Sequence, residues 1–177
     1  IEALLDPAAY PAAERPDRVE LAETHISWLF FTGQFVYKVK KPVDFGYLDF
    51  STLEQRHIYC HEEFRLNRRI SPSVYVGVSE IREQGGAFVI GGPGRIGAYA
   101  VKMRQLPRDR WLRHLLKIGK VDAPLIERVA RRVADFHATA ESDEMTTRIG
   151  GIDTVRFNAV ENFDQTRKYV GTTVSRP

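Results

Sequence analysis

The chain has 177 residues, and at roughly 150 residues per domain that length points to one compact domain or two small lobes, not to a solenoid. Hydrophobic residues make up 43% and charged residues 28%, enough apolar material for a buried core and too much for a disordered chain. Subtracting 23 acidic from 26 basic side chains leaves +3, an excess that permits a nucleic-acid partner without demanding one.

Cys60 is the single cysteine, which excludes an internal disulfide framework and a cysteine-based zinc ribbon and suits a reducing compartment. No apolar run approaches the ~18 residues of a membrane span. Ile1 to Pro16 lacks the cationic-then-hydrophobic pattern of a secretory leader. The expectation is a cytoplasmic protein with no membrane partner.

In chain order, Val19 to Ala22, Ile26 to Phe31 and Phe35 to Lys40 are short, β-branched and aromatic, with Thr32-Gly33-Gln34 as a tight turn, and predict an antiparallel meander. Helical spacing begins after Phe50: Ser51 and Glu54 form an S-x-x-E capping box, and Leu53, His57, Cys60 and Phe64 define one stripe up to Pro72. Val74 to Ile81, Ala87 to Ile90 and Ala98 to Met103 predict three further strands, separated by Gln84-Gly85-Gly86 and by the glycine-rich Gly91 to Gly97. Beyond Pro107 the pattern turns helical. Trp111, Leu112, Leu115 and Leu116 predict a short helix, and Leu125, Val129, Val133, Phe136 and Ala140 a long one with Asp122 and Pro124 at its start. From Ser142 onward the pattern weakens.

Gly92, Gly94 and Gly97 fit G-x-G-x-x-G, but a dinucleotide loop must open a helix and a strand follows here, so the segment reads as a hairpin loop. Ala100-Val101-Lys102 imitates the lysine strand of a protein kinase, yet Lys102 follows Gly97 by too few residues to leave room for an intervening strand. His57, Cys60 and His61 have metal-ligand spacing on a helix without a fourth ligand, and no metal site is expected from them. Arginines cluster at 65, 68 and 69 and again from 104 to 132. Glu62, Glu63, Asp109, Glu127 and Asp135 are interleaved with them, which predicts a solvated, self-paired face.

A more informative constellation couples a strand to a helix. Alternation along Phe35 to Lys40 puts Val36, Lys38 and Lys40 on one face and Phe35, Tyr37 and Val39 on the other, which must be core. A lysine so placed can neutralise nucleotide phosphates if a carboxylate orients its stem, and Glu62 and Glu63 on the following helix are the candidates. An edge strand guarded by lysines is the competing reading.

Three strings carry a family resemblance: Glu23-Thr24-His25-Ile26-Ser27, the run from Tyr37 to Glu54 (YKVKKPVDFGYLDFSTLE), and Leu66 to Pro72 (LNRRISP). Between about Val19 and Thr166 the chain resembles the aminoglycoside-phosphotransferase-like domain found at the front of bacterial proteins that often carry a P-loop kinase domain behind it. The resemblance implies an α+β, protein-kinase-like fold. Residues 1–106 would form an antiparallel nucleotide-binding lobe with one long helix, and residues 107–177 a hinge and the opening helices of a truncated helical lobe. It implies transfer of the γ-phosphate of ATP, with Mg²⁺, to the hydroxyl of a small molecule.

Position by position, the resemblance makes Thr24, His25, Ile26 and Ser27 the turn over the phosphates, with the hydroxyls of Thr24 and Ser27 as donors. Lys38 takes the α- and β-phosphates, with Lys40 as its competitor, and Val36 lies against the base. Glu63 is the first choice of partner and Glu62 the second. Met103-Arg104-Gln105-Leu106 forms the hinge that meets adenine, and His137 is a packed core residue of the long helix.

The chain departs from the family in having no H-G-D string. Asp153 and Asn158 have D-x-x-x-x-N spacing, but two fixed residues carry little information. The expectation is therefore a fragment without catalytic or metal-ligating residues of its own, those lying outside this chain. The alternative is a non-catalytic nucleotide- or RNA-binding regulatory module.

Overall fold

The computed structural model describes residues 1–173 and residue 175. The chain divides into two compact units, Ile1–Val133 and Ala134–Pro177. The first is α+β. Its centre is a curled six-stranded antiparallel sheet built from β1 (Glu20–Glu23), β2 (Ser27–Phe31), β3 (Phe35–Lys40), β4 (Tyr75–Gln84), β5 (Ala87–Ile90) and β6 (Arg95–Arg104). Their order across the sheet is β1-β2-β3-β6-β4-β5. The only long excursion between strands is the helix α1 (Leu53–Ile70), which packs against β6 and β4.

The sheet's two faces are filled differently. On one lie Phe30, Phe35, Tyr37, Val39, Ala100, Ile81 and Ile90, forming the core with Leu4, Ala9 and Tyr10 of three short 3₁₀ turns at the start of the chain. Sequence periodicity assigns no core role to that opening segment, because single-turn elements are too short to show one. Yet Leu4 and Tyr10 are buried, and the Tyr10 hydroxyl donates to the Leu4 carbonyl at 2.7 Å.

α1 holds the other face with polar as well as apolar groups. The expected stripe of Leu53, His57, Cys60 and Phe64 needs correcting, since His57 is exposed and Cys60 is the helix's one buried residue. Leu53 and Phe64 are half-buried, and so are Arg56, Glu63 and Asn67, which with Cys60 follow spacings of four, three and four; the charged members of such a stripe are invisible to hydrophobic periodicity. The cap also moves by one residue: Thr52, not Ser51, is the N-cap, its hydroxyl accepting from the Gln55 N–H at 3.1 Å.

The glycine-rich segment corrects the hairpin expectation: β5 and β6 lie on opposite sides of β4, each antiparallel to it, so Gly91 to Gly94 cross over the end of β4 instead of closing a hairpin. β6 starts three residues earlier than the sequence suggests because Arg95 pairs with Glu83. Gly94, at φ +118, passes so close to β4 that a Cβ there would lie 2.1 Å from the Glu83 carbonyl oxygen. That is the physical reason for glycine at this point of the string.

After Arg104 the named elements among the described residues are helical: α2 (Leu112–Lys117), α3 (Ala123–Ala138), α4 (Glu144–Ile149) and α5 (Ile152–Thr166). The weak pattern beyond Ser142 hides the last two. In α5 Ile152, Phe157 and Phe163 are all exposed, so no buried stripe forms to produce a period. α3 likewise has no buried residue, and His137 is exposed where the sequence reading expects a core position. Among the described residues no helix is long and apolar enough to cross a membrane.

Candidate functional site

Alternation along β3 decides the local geometry. Lys38 and Lys40 both leave the sheet on the side of α1 and converge on one carboxylate: Lys38 Nζ lies 2.9 Å from Glu63 Oε1 and Lys40 Nζ 2.7 Å from Glu63 Oε2. Glu63 arrives there because it sits one turn beyond Cys60, the buried contact of the helix, whose thiol faces the Tyr99 carbonyl. Glu62 points elsewhere and pairs with Arg65 at 2.7 Å. Helix phase thus separates two adjacent acids that the sequence leaves as alternatives.

The two lysines are not equivalent. The Lys40 side chain is 5% exposed, with its ammonium 4.6 Å from the centre of the Phe50 ring, whereas Lys38 keeps 25% of its side chain open to solvent. Lys40 is a buried strut and Lys38 the accessible cation. Two ammonium groups against one carboxylate leave the cluster at +1, so an anion meeting Lys38 is attracted without Glu63 being displaced. Burial pushes the Glu63 carboxyl up, but hydrogen bonds and charges from Lys40 and Lys38 outweigh it and hold the group below its ordinary value of 4.5. Burial likewise pushes the Cys60 thiol up to about 11.

Around this pair the expected cofactor residues fall as follows. In the β1–β2 turn the Thr24 hydroxyl is occupied in closing the turn, accepting from Ser27 N–H at 3.0 Å and donating to the Ser27 carbonyl at 3.1 Å. His25 is exposed at its tip. The Ser27 hydroxyl is wholly buried and has no hydrogen-bond partner among the described residues, and Ser27 stands directly across from Lys40 in the β2–β3 register. An orphaned hydroxyl on the lysine face is a donor awaiting an acceptor.

Val36 is buried and pairs in register with Met103, which places both on the lysine face. Gln105 is tied back to the β2–β3 turn: its side-chain oxygen accepts from the Gly33 N–H at 3.0 Å and its own N–H donates to the Gln34 carbonyl at 2.9 Å. A cavity of about 380 Å³ opens beside it, lined by Phe31, Thr32, Gly33 and Gln105 together with Asp17 and Glu20. Leu106 is exposed.

The remaining candidates do not join the site. His57 packs on the Tyr99 ring at 4.5 Å and on His61 at 4.7 Å, while Cys60 turns inward, and among the described residues no group of three or more His, Cys, Asp or Glu is placed to hold a metal ion. Lys102 lies on the opposite face of the sheet, bonded to both oxygens of Glu14, which also accepts from the Tyr37 hydroxyl at 2.6 Å. Sequence reading misses Glu14 altogether. Its partners lie 23 and 88 residues further on, and no local signal links them. Asp153 and Asn158 both lie within α5, where five residues span about 500° and the side chains leave on different sides.

No family model and no solved structure matches the chain. Uncharacterized proteins of Mycobacterium bovis and of two strains of Mycobacterium tuberculosis are each 27% identical to it over 167 residues, which is 94% of the chain. The chain spans 32% of the length of these relatives.

Proposed function

We propose that the first unit is the nucleotide-binding part of a phosphotransferase with protein-kinase-like architecture, of the aminoglycoside-phosphotransferase-like kind. The observation that carries this reading is the bridge from β3 to α1, in which Glu63 orients an accessible Lys38 while Lys40 anchors the carboxylate from beneath. Such a pair supplies a fixed cation for polyphosphate, and catalysis of phosphoryl transfer consists largely of this kind of positioning and charge stabilisation.

In this reading Lys38 contacts the α- and β-phosphates of ATP, Ser27 offers its unused hydroxyl from the lysine face, and Val36 and Met103 supply the apolar surface for the base. The Met103 to Leu106 segment is the hinge, with Gln105 positioned by its bonds to the β2–β3 turn. Bound Mg·ATP would supply the γ-phosphoryl group. The Mg²⁺ ligands and the groups that position the accepting hydroxyl belong to the longer protein outside this chain. The chain's own residues bind and orient the nucleotide.

The test is Mg·ATP binding to the complete parent protein by calorimetry. Lys38→Met removes one charge-assisted hydrogen bond of about 1.5–3 kcal/mol and should weaken binding roughly tenfold to a hundredfold while leaving the stem packed. Unchanged affinity would refute the assignment.

A further inference from the structure

From Arg104 to Arg132 the chain carries nine basic and three acidic side chains, a balance of +6, while the remainder of the sequence stands at −3. All nine cations are exposed. The sequence reading expects interleaved acids to neutralise the arginines, and among the described residues the structure does so for Glu62 and Glu127 but not for Glu63 and Asp109. Glu62 takes Arg65, Glu63 takes the two lysines of β3, Glu127 reaches only Arg131 at 3.6 Å, and Asp109 joins no ion pair among the described residues. Arg108 pairs with Glu20, and Arg132 donates to the Ile70 carbonyl at the end of α1. Arg104, Arg110, Arg113, Lys117, Lys120 and Arg128 have no acidic partner among the described residues. Elsewhere in the same unit Lys41, Lys102, Arg82 and Arg95 each reach a carboxylate.

We infer that the Arg104 to Arg132 segment is a binding surface for the phosphate backbone of single-stranded nucleic acid. Seven of its nine cations are arginine, whose planar fork matches a phosphate in two hydrogen bonds where lysine offers a point charge. Trp111 is 42% exposed in the middle of the run, beside Arg110 and near the exposed His114, and supplies a ring on which an unpaired base can stack. Arg110 and Arg113 flank the exposed indole in the chain, and cation beside ring is chemistry for phosphate and base together, whereas an acidic protein would use only the charge. Arg110, Arg113 and Arg128 lie outside both the Lys38–Glu63 pair and the Met103 to Leu106 segment, so the inference, tested on them, stands or falls separately from the nucleotide reading.

The experiment is fluorescence anisotropy of the complete parent protein with labelled oligouridylate and labelled oligothymidylate across a salt series. Replacing three cations in Arg110→Gln, Arg113→Gln and Arg128→Gln should make the plot of log K against log salt shallower by about 2 and weaken binding about a hundredfold at about 0.1 M salt, at ~0.7 per single-strand phosphate contact. Tighter binding of one oligonucleotide assigns RNA or DNA as the source. Arg113→Gln alone, at an exposed position, should lower the slope by about 0.7 and keeps the test decisive should the triple variant unfold. The inference is overturned if neither oligonucleotide binds at low salt or if the triple variant keeps the original slope. It is equally overturned if polyglutamate competes as well as the oligonucleotide at equal charge, which would mark an acidic protein partner.

Discussion

Removing the Glu63 carboxylate should cost far more than removing the lysine it orients. In Glu63→Gln the Lys40 ammonium, 5% exposed beneath Phe50, loses its carboxylate partner, and uncovering one member of a buried pair costs about 3–5 kcal/mol. The lower end applies, because Glu63 keeps 13% of its side chain open and the amide retains one acceptor, so about 3 kcal/mol is expected. Lys38→Met leaves Glu63 paired with Lys40 and empties a site already 25% exposed, which puts its cost at about 1 kcal/mol or less. With a urea m-value of about 2 kcal/mol/M, the midpoints should fall by about 1.5 M for Glu63→Gln and about 0.5 M or less for Lys38→Met. Urea denaturation followed by tryptophan fluorescence measures both. Equal shifts, or a larger one for Lys38→Met, would mean that Lys40 does not depend on Glu63, and the division into strut and accessible cation would be wrong.

The same carboxylate predicts a pH dependence. Its folded-state pKa is depressed, so its contribution is fully present above the ordinary value of 4.5 and is lost as pH falls through the folded value; stability should drop below about pH 4.5, and by less in Glu63→Gln. Gly94→Ala forces a Cβ against the Glu83 carbonyl at φ +118, and a loss of about 2–4 kcal/mol in chemical denaturation is expected, whereas no measurable loss would show that the β5–β6 connection yields freely. Cys60 is wholly buried with its thiol raised to about 11, so it should resist a thiol reagent such as Ellman's at pH 8 in the native protein and react once urea unfolds it; rapid native labelling would show that α1 opens away from the sheet.

Much of the sheet can be read from the chain because its causes are local. A period of two places Lys38 and Lys40 opposite Tyr37 whatever the fold, and the Gly85-Gly86 and Gly91 to Gly94 turns require the positive φ that glycine supplies. The helix after Phe50 is legible for the same reason, although its cap and its buried stripe each differ from the pattern, since Arg56 and Glu63 pack inward where hydrophobic spacing looks for apolar side chains.

What the amino-acid order determines by itself is which side of β3 each residue occupies and where strand gives way to helix, because those depend on neighbours a few positions away. Tertiary structure alone decides that Glu63 and not Glu62 meets the lysines, that Lys40 is buried while Lys38 stays accessible, that Glu14 grips Tyr37 and Lys102 from below, and that six cations between Arg104 and Arg128 have no acidic partner among the described residues. Those pairings join residues 23 to 88 positions apart, and the energy of a charge depends on what surrounds it in space; composition and periodicity carry no record of that distance.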